Sequence, residues 1–392
     1  MALNTVSSDR LSTNVKNTNF TAAEKQDLTD DIKPLLGSSG GGNKNLIING
    51  AQLIAQRGTS STSTGYQTVD RITLLTNGVD EAPTQAQVDV ASGTTPYTNG
   101  FRKALKITNG NQTSGAGSAD YIIVRHKIEA QNLANSGWNY TSTSSNVTLS
   151  FWVKASVAQN YYFSVLSSDG TLQNFPMETG SLTADTWTKI TKTIPGAANV
   201  QFNNDNGIGI ELDWWPFAGT DYTASGVALN TWAAFASGTR FPDHTSTWYT
   251  TNDATLEITG VQLEVGSVAT DFEHRSFAQE LELCKRYCQV LSAGGDYTRF
   301  SMGYASSSSS VRWFNYLRPE MRSTPSFAHS GSFNCQPGSS FDISDVSLET
   351  ASSSPQQALL ITSGNSGMSA GQAISLHANG DANAKLTFSA EL

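Results

Sequence analysis

The sequence predicts a mainly β protein whose centre is an antiparallel jelly roll or β-sandwich. Three observations carry this. Val147, Leu149, Phe151 and Val153 alternate with Thr148, Ser150, Trp152 and Lys154, the period-2 pattern of a half-buried strand. Ile208, Ile210, Leu212 and Trp214 line one side of a further strand in the same way. Charged residues make up only 15% of the chain, while Ser, Thr, Asn and Gly fill the polar positions, the composition of short strands joined by turn-rich loops.

With 392 residues the chain exceeds one ordinary core, so several domains are expected. In residues 1–44, Thr21 and Glu24 form a capping-box pattern, and Leu28 and Ile32 give the following helix an apolar edge. Pro34 ends that helix and the Ser38–Gly42 run makes a hinge. A lone helix cannot bury its own stripe, so it needs a partner protein or copies of itself.

From 45 to 275 the pattern is nearly all β. Strands are expected at residues 47–48, 69–75, 104–107, 121–128, 147–153, 161–165, 188–194, 208–214 and 256–265, which suits a two-sheet jelly roll. In the last of these, Leu256 and Ile258 alternate, then Val261, Leu263 and Val265 resume one residue out of phase, with Gly260 at the slip. That slip marks a β-bulge. Ser276 and Gln279 match a second capping box, and Phe277, Leu281, Cys284 and Cys288 recur at helical spacing, so residues 276–291 read as a linking helix. Residues 292–392 read as a smaller antiparallel β domain, from alternation at Phe300, Met302 and Tyr304 and at Leu386, Phe388, Ala390 and Leu392.

Bulk charge narrows the function. A net charge of −9 argues against a nucleic-acid partner, whose phosphates are bound by Lys and Arg. No apolar run reaches bilayer length and the start lacks a secretory signal, so a soluble product without membrane insertion is expected. Cys284 and Cys288, one helical turn apart, have Cβ atoms about 5–6 Å from each other, more than the ~3.8 Å of a disulfide. They read, with Cys335, as reduced and buried. His126, His244, His274, His329 and His377 are scattered, no G-x-S-x-G elbow occurs, and Asn43 stands where a phosphate loop needs Lys. No catalytic residue and no cofactor are predicted.

The segment Leu256–Gln289, LEITGVQLEVGSVATDFEHRSFAQELELCKRYCQ, resembles one in virion proteins of tailed bacteriophages, many of them marine, where VQLEVG, F-E-H-R-S and E-L-x-L-C-x-R-Y close a carbohydrate-binding-module-like domain. NLIINGAQLIAQRG at Asn45–Gly58, V-D-R at Val69–Arg71, NVTLSFWVKAS at Asn146–Ser156, DNGIGIELDW at Asp205–Trp214 and LRPEMRSTPSF at Leu317–Phe327 are similar to further parts of those proteins. The resemblance covers roughly residues 45–330. It implies a tail fibre of the virion, made in the host cytoplasm, that binds a host cell-surface glycan without enzymatic activity. It also implies a homotrimer, with Leu28 and Ile32 in an anchor for tail adaptor or nozzle proteins, and Phe277, Leu281, Cys284 and Cys288 as candidates for helix packing about the trimer axis. A structural calcium is common in such jelly rolls, and Asp70 or Asp271 offer oxygen ligands. A capsid decoration or head-fibre protein is the alternative. His274, in the D-F-E-H-R turn, is implied to pack and hydrogen bond.

Recognition is expected in the long connection from Trp215 to Asp253, because a stretch of that length without periodicity is usually functional. Sugars present C–H faces and hydroxyl rims, which aromatic platforms flanked by carboxylates and guanidinium groups match. The glycan-binding candidates are Trp215, Tyr222, Trp232, Arg240, Asp243, Trp248 and Tyr249. Packing of the same rings onto the sandwich is the competing explanation. Trp214 belongs to the inward stripe and Trp215 points the other way. Glu211 and Asp213, two apart on one strand face, are the carboxylate pair that a polysaccharide-degrading tailspike would use.

Overall fold

A computed structural model describes residues 44–392 apart from 337–340, 344 and 364–367. The expected anchor helix, with Leu28 and Ile32, lies outside the described residues. Strand accounts for 41% of the described residues and helix for 8%. Residues Asn45–Leu392 form one unit, within which two hydrophobic cores are built by two successive sandwiches.

The first sandwich has twelve strands: β1 (Ser60–Ser61), β2 (Ile72–Asn77), β3 (Thr84–Asp89), β4 (Lys103–Thr108), β5 (Tyr121–Glu129), β6 (Asn146–Ala155), β7 (Asn160–Ser167), β8 (Gln173–Ser181), β9 (Thr188–Pro195), β10 (Ile208–Ala218), β11 (Ala233–Ala234) and β12 (Thr255–Val265). Sheet A has the order β1-β3-β4-β12-β6-β9 and sheet B the order β11-β8-β7-β10-β5-β2, with antiparallel pairing throughout. The inward residues of β6 share one core with the inward face of sheet B. Phe151 stands edge-on to Phe163 at 5.1 Å and to Trp214 at 5.6 Å, and these three anchor the core.

Two longer strands escape the sequence pattern. TQAQVD in β3 has almost no apolar alternation, and QNFPMETGS in β8 contains Pro176 and Gly180. The strand expected at 47–48 does not form, because the Asn45 side chain takes its place. Its amide donates to the Val261 carbonyl at 3.0 Å while its oxygen accepts from Ile47 and Leu263. The bulge in β12 forms as expected, between Thr259 and Gln262, with Gly260 at φ +63°.

The linking helix is shorter than expected, Phe277–Lys285, capped by Ser276, whose hydroxyl accepts from the Gln279 amide at 3.3 Å. It stops because Cys288 already opens the next strand. The second sandwich comprises β13 (Cys288–Ser292), β14 (Arg299–Ala305), β15 (Val311–Tyr316), β16 (Ser326–Ser330), β17 (Phe333–Gln336), β18 (Phe341–Ile343), β19 (Ser347–Leu348), β20 (Gln357–Thr362), β21 (Ala373–Ala378) and β22 (Lys385–Ser389). A three-stranded sheet, β13-β22-β16, faces a seven-stranded one, β18-β17-β21-β14-β15-β20-β19. A register slip between Arg299 and Ser301 splits the expected stripe on β14. Phe300 packs on the core while Met302 is 61% exposed.

Buried ionic contacts join the two sandwiches. Glu391 accepts from Arg71 and, at 3.2 Å, from Arg57, while the Arg71 guanidinium stacks on the Tyr287 ring at 3.5 Å. Arg286 grips both oxygens of Glu129 at 2.7 and 2.9 Å. Removing one partner of a buried pair leaves the other charge uncompensated, so Glu391→Gln is expected to lower unfolding stability by about 3 kcal/mol in urea titration. A change under about 0.5 kcal/mol would mean that Arg71 is not held by this contact.

Asp70 gives a pH signature. It is fully buried, and burial pushes its carboxyl up to about 6, against the bonds it accepts from the Gln56 backbone and side chain. The folded state therefore binds this proton more tightly than the unfolded state, whose carboxyl titrates near 3.8. The penalty of the charged form is fully present above pH 6 and is relieved as pH falls from about 6 to 4, by about 2–3 kcal/mol. Urea titration across that window should show a shallower gain on acidification in Asp70→Asn than in the wild type.

Candidate functional site

The outer face of sheet B is set by β10. Ile210, Leu212 and Trp214 point into the core, so Glu211, Asp213 and Trp215 point out, and the slip between Trp214 and Phe217 returns Phe217 to the core. Across the ladder, Asp213 faces Arg125 of β5 on one side and Ser164 of β7 on the other. Arg125 holds both oxygens of Asp213 at 2.6 and 2.7 Å and reaches Glu211 at 2.7 Å. Arg240 approaches Asp213 from above at 3.5 Å and lies over the rings of Phe235 and Trp215.

The connection from β10 to β12 folds down as a lid on this face. Arg240 and Phe241 amides donate to the Tyr222 carbonyl at 3.0 and 3.3 Å, Asn230 donates to Pro176, and Phe235 donates to Leu172. The Asn174 side chain donates to the Arg240 carbonyl at 3.1 Å. Beneath the lid, Trp215 contacts Tyr121, Tyr222 and Phe241 with ring centroids 5.5–5.8 Å apart, and Tyr162 contacts Phe241 and His244.

Burial raises the Glu211 carboxyl pKa, opposed by Arg125 and reinforced by Asp213. Burial lowers the pKa of Arg240, opposed by Asp213. Burial alone would lower Arg125 too, but its bonds to Asp213 outweigh that and its pKa is raised. Four buried polar atoms of this layer have no protein partner: Ser164 Oγ, Asn174 Oδ1, Trp215 Nε1 and Arg240 Nη1. Two donors and two groups able to accept thus converge beside two guanidinium and two carboxylate groups, a set that matches a hydroxylated ligand.

Several expected binding residues are corrected. Trp248 and Tyr249 are wholly buried core residues: Trp248 donates to the Thr255 carbonyl at 3.1 Å, and Tyr249 stacks on Phe217 at 4.1 Å and bonds Asp120. Trp232 is a half-buried ring on Phe175 that donates to the Pro195 carbonyl at 2.7 Å. Trp215 and Arg240 are buried beneath or within the lid, so neither is an exposed platform. Tyr222 is half-buried, and Asp243 is exposed, accepting from Thr223 at 2.9 Å. Arg125, Tyr121, Tyr162, Ser164 and Asn174 were not singled out, although their outward phase in β5, β7 and β8 was the available signal.

The helix-packing candidates divide. Phe277 is 61% exposed and Leu281 half-buried, but Cys284 and Cys288 are fully enclosed within their own chain, so they are not available to an axis between copies. The turn of the helix that carries Glu280 and Cys284 docks on the first sandwich, where Glu280 accepts from the Asn49 amide. Calcium does not fit Asp70, whose oxygens are engaged by Gln56, and Asp271 lies elsewhere, in a cleft on sheet A. Among the described residues no group of three His, Cys, Asp or Glu side chains gathers as a metal site, and no helix is long and apolar enough to cross a membrane.

No protein-family model matches the chain, and no curated protein matches it. Solved structures that align include the enzymatically active domain of bacteriophage CBA120 tailspike protein 4, at 8% identity and a TM-score of 0.30, covering 57% of this chain and 22% of that one. A CBM4 structure aligns at 13% identity and a TM-score of 0.28, over 56% of this chain and 98% of that one. The N-terminal cellulose-binding domain of Cellulomonas fimi β-1,4-glucanase C aligns at 13% identity and a TM-score of 0.25, over 55% and 99%. The chain thus spans about a fifth of the tailspike structure. Scores this low carry no weight on function, and the fold stands on the sheet topology itself.

Proposed function

We propose that the chain is a non-enzymatic tail fibre of a tailed bacteriophage that attaches to a host cell-surface glycan through the outer face of sheet B. One observation carries the binding part: an aromatic layer closes over a desolvated Arg125–Asp213–Arg240 cluster and over polar atoms without protein partners. Buried charge and unpaired polar groups cost stability, so a cover serving packing alone would be apolar there. Ionic groups left incompletely paired in this way make the layer a candidate binding site. The resemblance of Leu256–Gln289 and its companion motifs supports the virion part, with residues 1–44 attaching to tail adaptor or nozzle proteins.

Assembly as a homotrimer would turn weak single-site binding into firm adhesion. Phe277 and Leu281 remain the exposed and half-exposed residues available to that contact. The enzymatic reading is disfavoured by the geometry of the acids. Glycoside hydrolysis needs two carboxyl groups flanking the bond, and Asp213 is fully buried with both oxygens on Arg125.

Purified chain should compete with phage for adsorption. Tyr222→Ala, which removes the half-exposed ring against Tyr121 and Trp215, should weaken glycan binding about tenfold, roughly 1.4 kcal/mol. Saturating chain that leaves adsorption unchanged would contradict the fibre role. Release of reducing sugars that disappears in Glu211→Gln would make the protein a depolymerase instead.

A further inference from the structure

We propose that the opposite face of the same sandwich carries a second binding site, a cleft on sheet A that takes one ring of an acidic sugar. The cleft, about 260 Å³, has Ser150, Trp152 and Lys189 as its floor and Asp271, Phe272 and His274 as its wall. Drug-sized ligands occupy pockets upward of roughly 300 Å³, so this volume suits a single ring and not an oligosaccharide. The sugar identity rests on the glycan-binding reading above; the position of the site does not.

The cleft is built, and the chain's most distinctive motif builds it. At the bulge of β12, Gly260 has φ +63° and lies so close to Phe101 that an added Cβ would stand 2.6 Å from the ring. The chain then returns along its own strand: the Gln262 side chain accepts from the Glu273 amide at 2.8 Å, and Glu264 accepts from the Thr270 amide at 2.9 Å. These bonds bring 271–274 up as a wall. Phe272 meets Phe101 edge-on at 4.9 Å, and the His274 ring is fixed by a 2.9 Å contact with the Asn99 carbonyl. Gly100, at φ +93°, makes room for that imidazole, since an added Cβ would lie 2.9 Å from its Cε1. Trp152 packs against the Phe101 cluster and remains half-exposed where it lines the cleft.

Charge selects the ligand. Trp152 lies beside Lys189 on β9, and one step along the same outer face Lys154 pairs with Glu257 at 3.0 Å and lies over the Trp187 ring at 5.2 Å. Lys106 stands opposite Glu257 on β4. Of these lysines only Lys189 lines the cleft, with Asp271 on its wall, while Lys154 and Lys106 beside it share Glu257, so Lys189 is the group that meets a carboxylate. The indole of Trp152 supplies the stacking surface for the sugar's C–H face, Ser150 supplies a hydrogen bond to its rim, and Lys189 takes the carboxylate alone.

The test titrates the full chain with glucuronate, glucose and acetate, followed by tryptophan fluorescence. Glucuronate should bind at least fivefold more tightly than glucose, and acetate should not saturate the signal. Trp152→Ala should abolish the response. Lys189→Gln, at an exposed position that leaves the fold intact, should reduce glucuronate affinity to that for glucose while leaving glucose unchanged. Binding that survives both variants but is lost in Tyr222→Ala would overturn this site and leave the glycan-binding reading standing. Acetate binding as tight as glucuronate would reduce the cleft to an anion site, and no sugar response at all would also overturn it, with adsorption competition still judging the fibre role.

Discussion

The contact of Phe151 with Trp214 across the first sandwich sets the side on which every other residue of β6 and β10 works. Side chains alternate with a period of two, so burying Phe151 turns Trp152 outward, and burying Trp214 turns Asp213 and Trp215 outward. Both proposed recognition surfaces follow from this phase. A shift of one residue would bury Trp152 and Asp213 and expose the core. The bulges modify the rule locally: the slip after Trp214 returns Phe217 to the core, and the bulge at Gly260 opens the space into which the 271–274 wall folds.

A second constraint is the handling of charge. The chain has few ionic groups, yet it buries several: Arg125 with Asp213 under the lid, Arg71 with Glu391 between the sandwiches, and Glu129 beneath a partly exposed Arg286 beside them. Such pairs add little net stability, because desolvation offsets their attraction, but they penalise misplacement strongly. At the junction this fixes one sandwich against the other, since Glu391 and Glu129 find their arginines in only one arrangement. Beneath the lid the same chemistry leaves polar atoms without protein partners. The molecule thus joins two units rigidly and keeps one polar layer incomplete.

Much of this was legible in the sequence. Alternation on β6, β10 and β12 predicted the two-sheet fold and the opposed roles of Trp214 and Trp215, and the capping box located the start of the helix. β3, almost without apolar alternation, was not legible because its place comes from ladder bonds to β4, and β8 was obscured because only Phe175 and Met177 mark its buried face, with Pro176 between them and Gly180 beyond. The aromatic connection stood out in the sequence, but its members divide by contacts remote in sequence. Trp248 and Tyr249 are drawn into the core by Thr255 and Phe217, while Tyr222 stays at the surface. Cys284 and Cys288 share a spacing but not an element, since the helix gives way to β13. The cleft needed Gly100, Trp152 and His274 brought together from three segments, which spacing along one chain does not reveal.

The most direct test of the account is oxidative footprinting of the tryptophans in the native chain, read residue by residue by mass spectrometry. The account predicts that Trp152 is modified readily while Trp214 and Trp248, which lie inside the first core, are protected. Modification of Trp214 or Trp248 as fast as Trp152 would contradict it, because the phase that separates core from recognition surface would then be wrong.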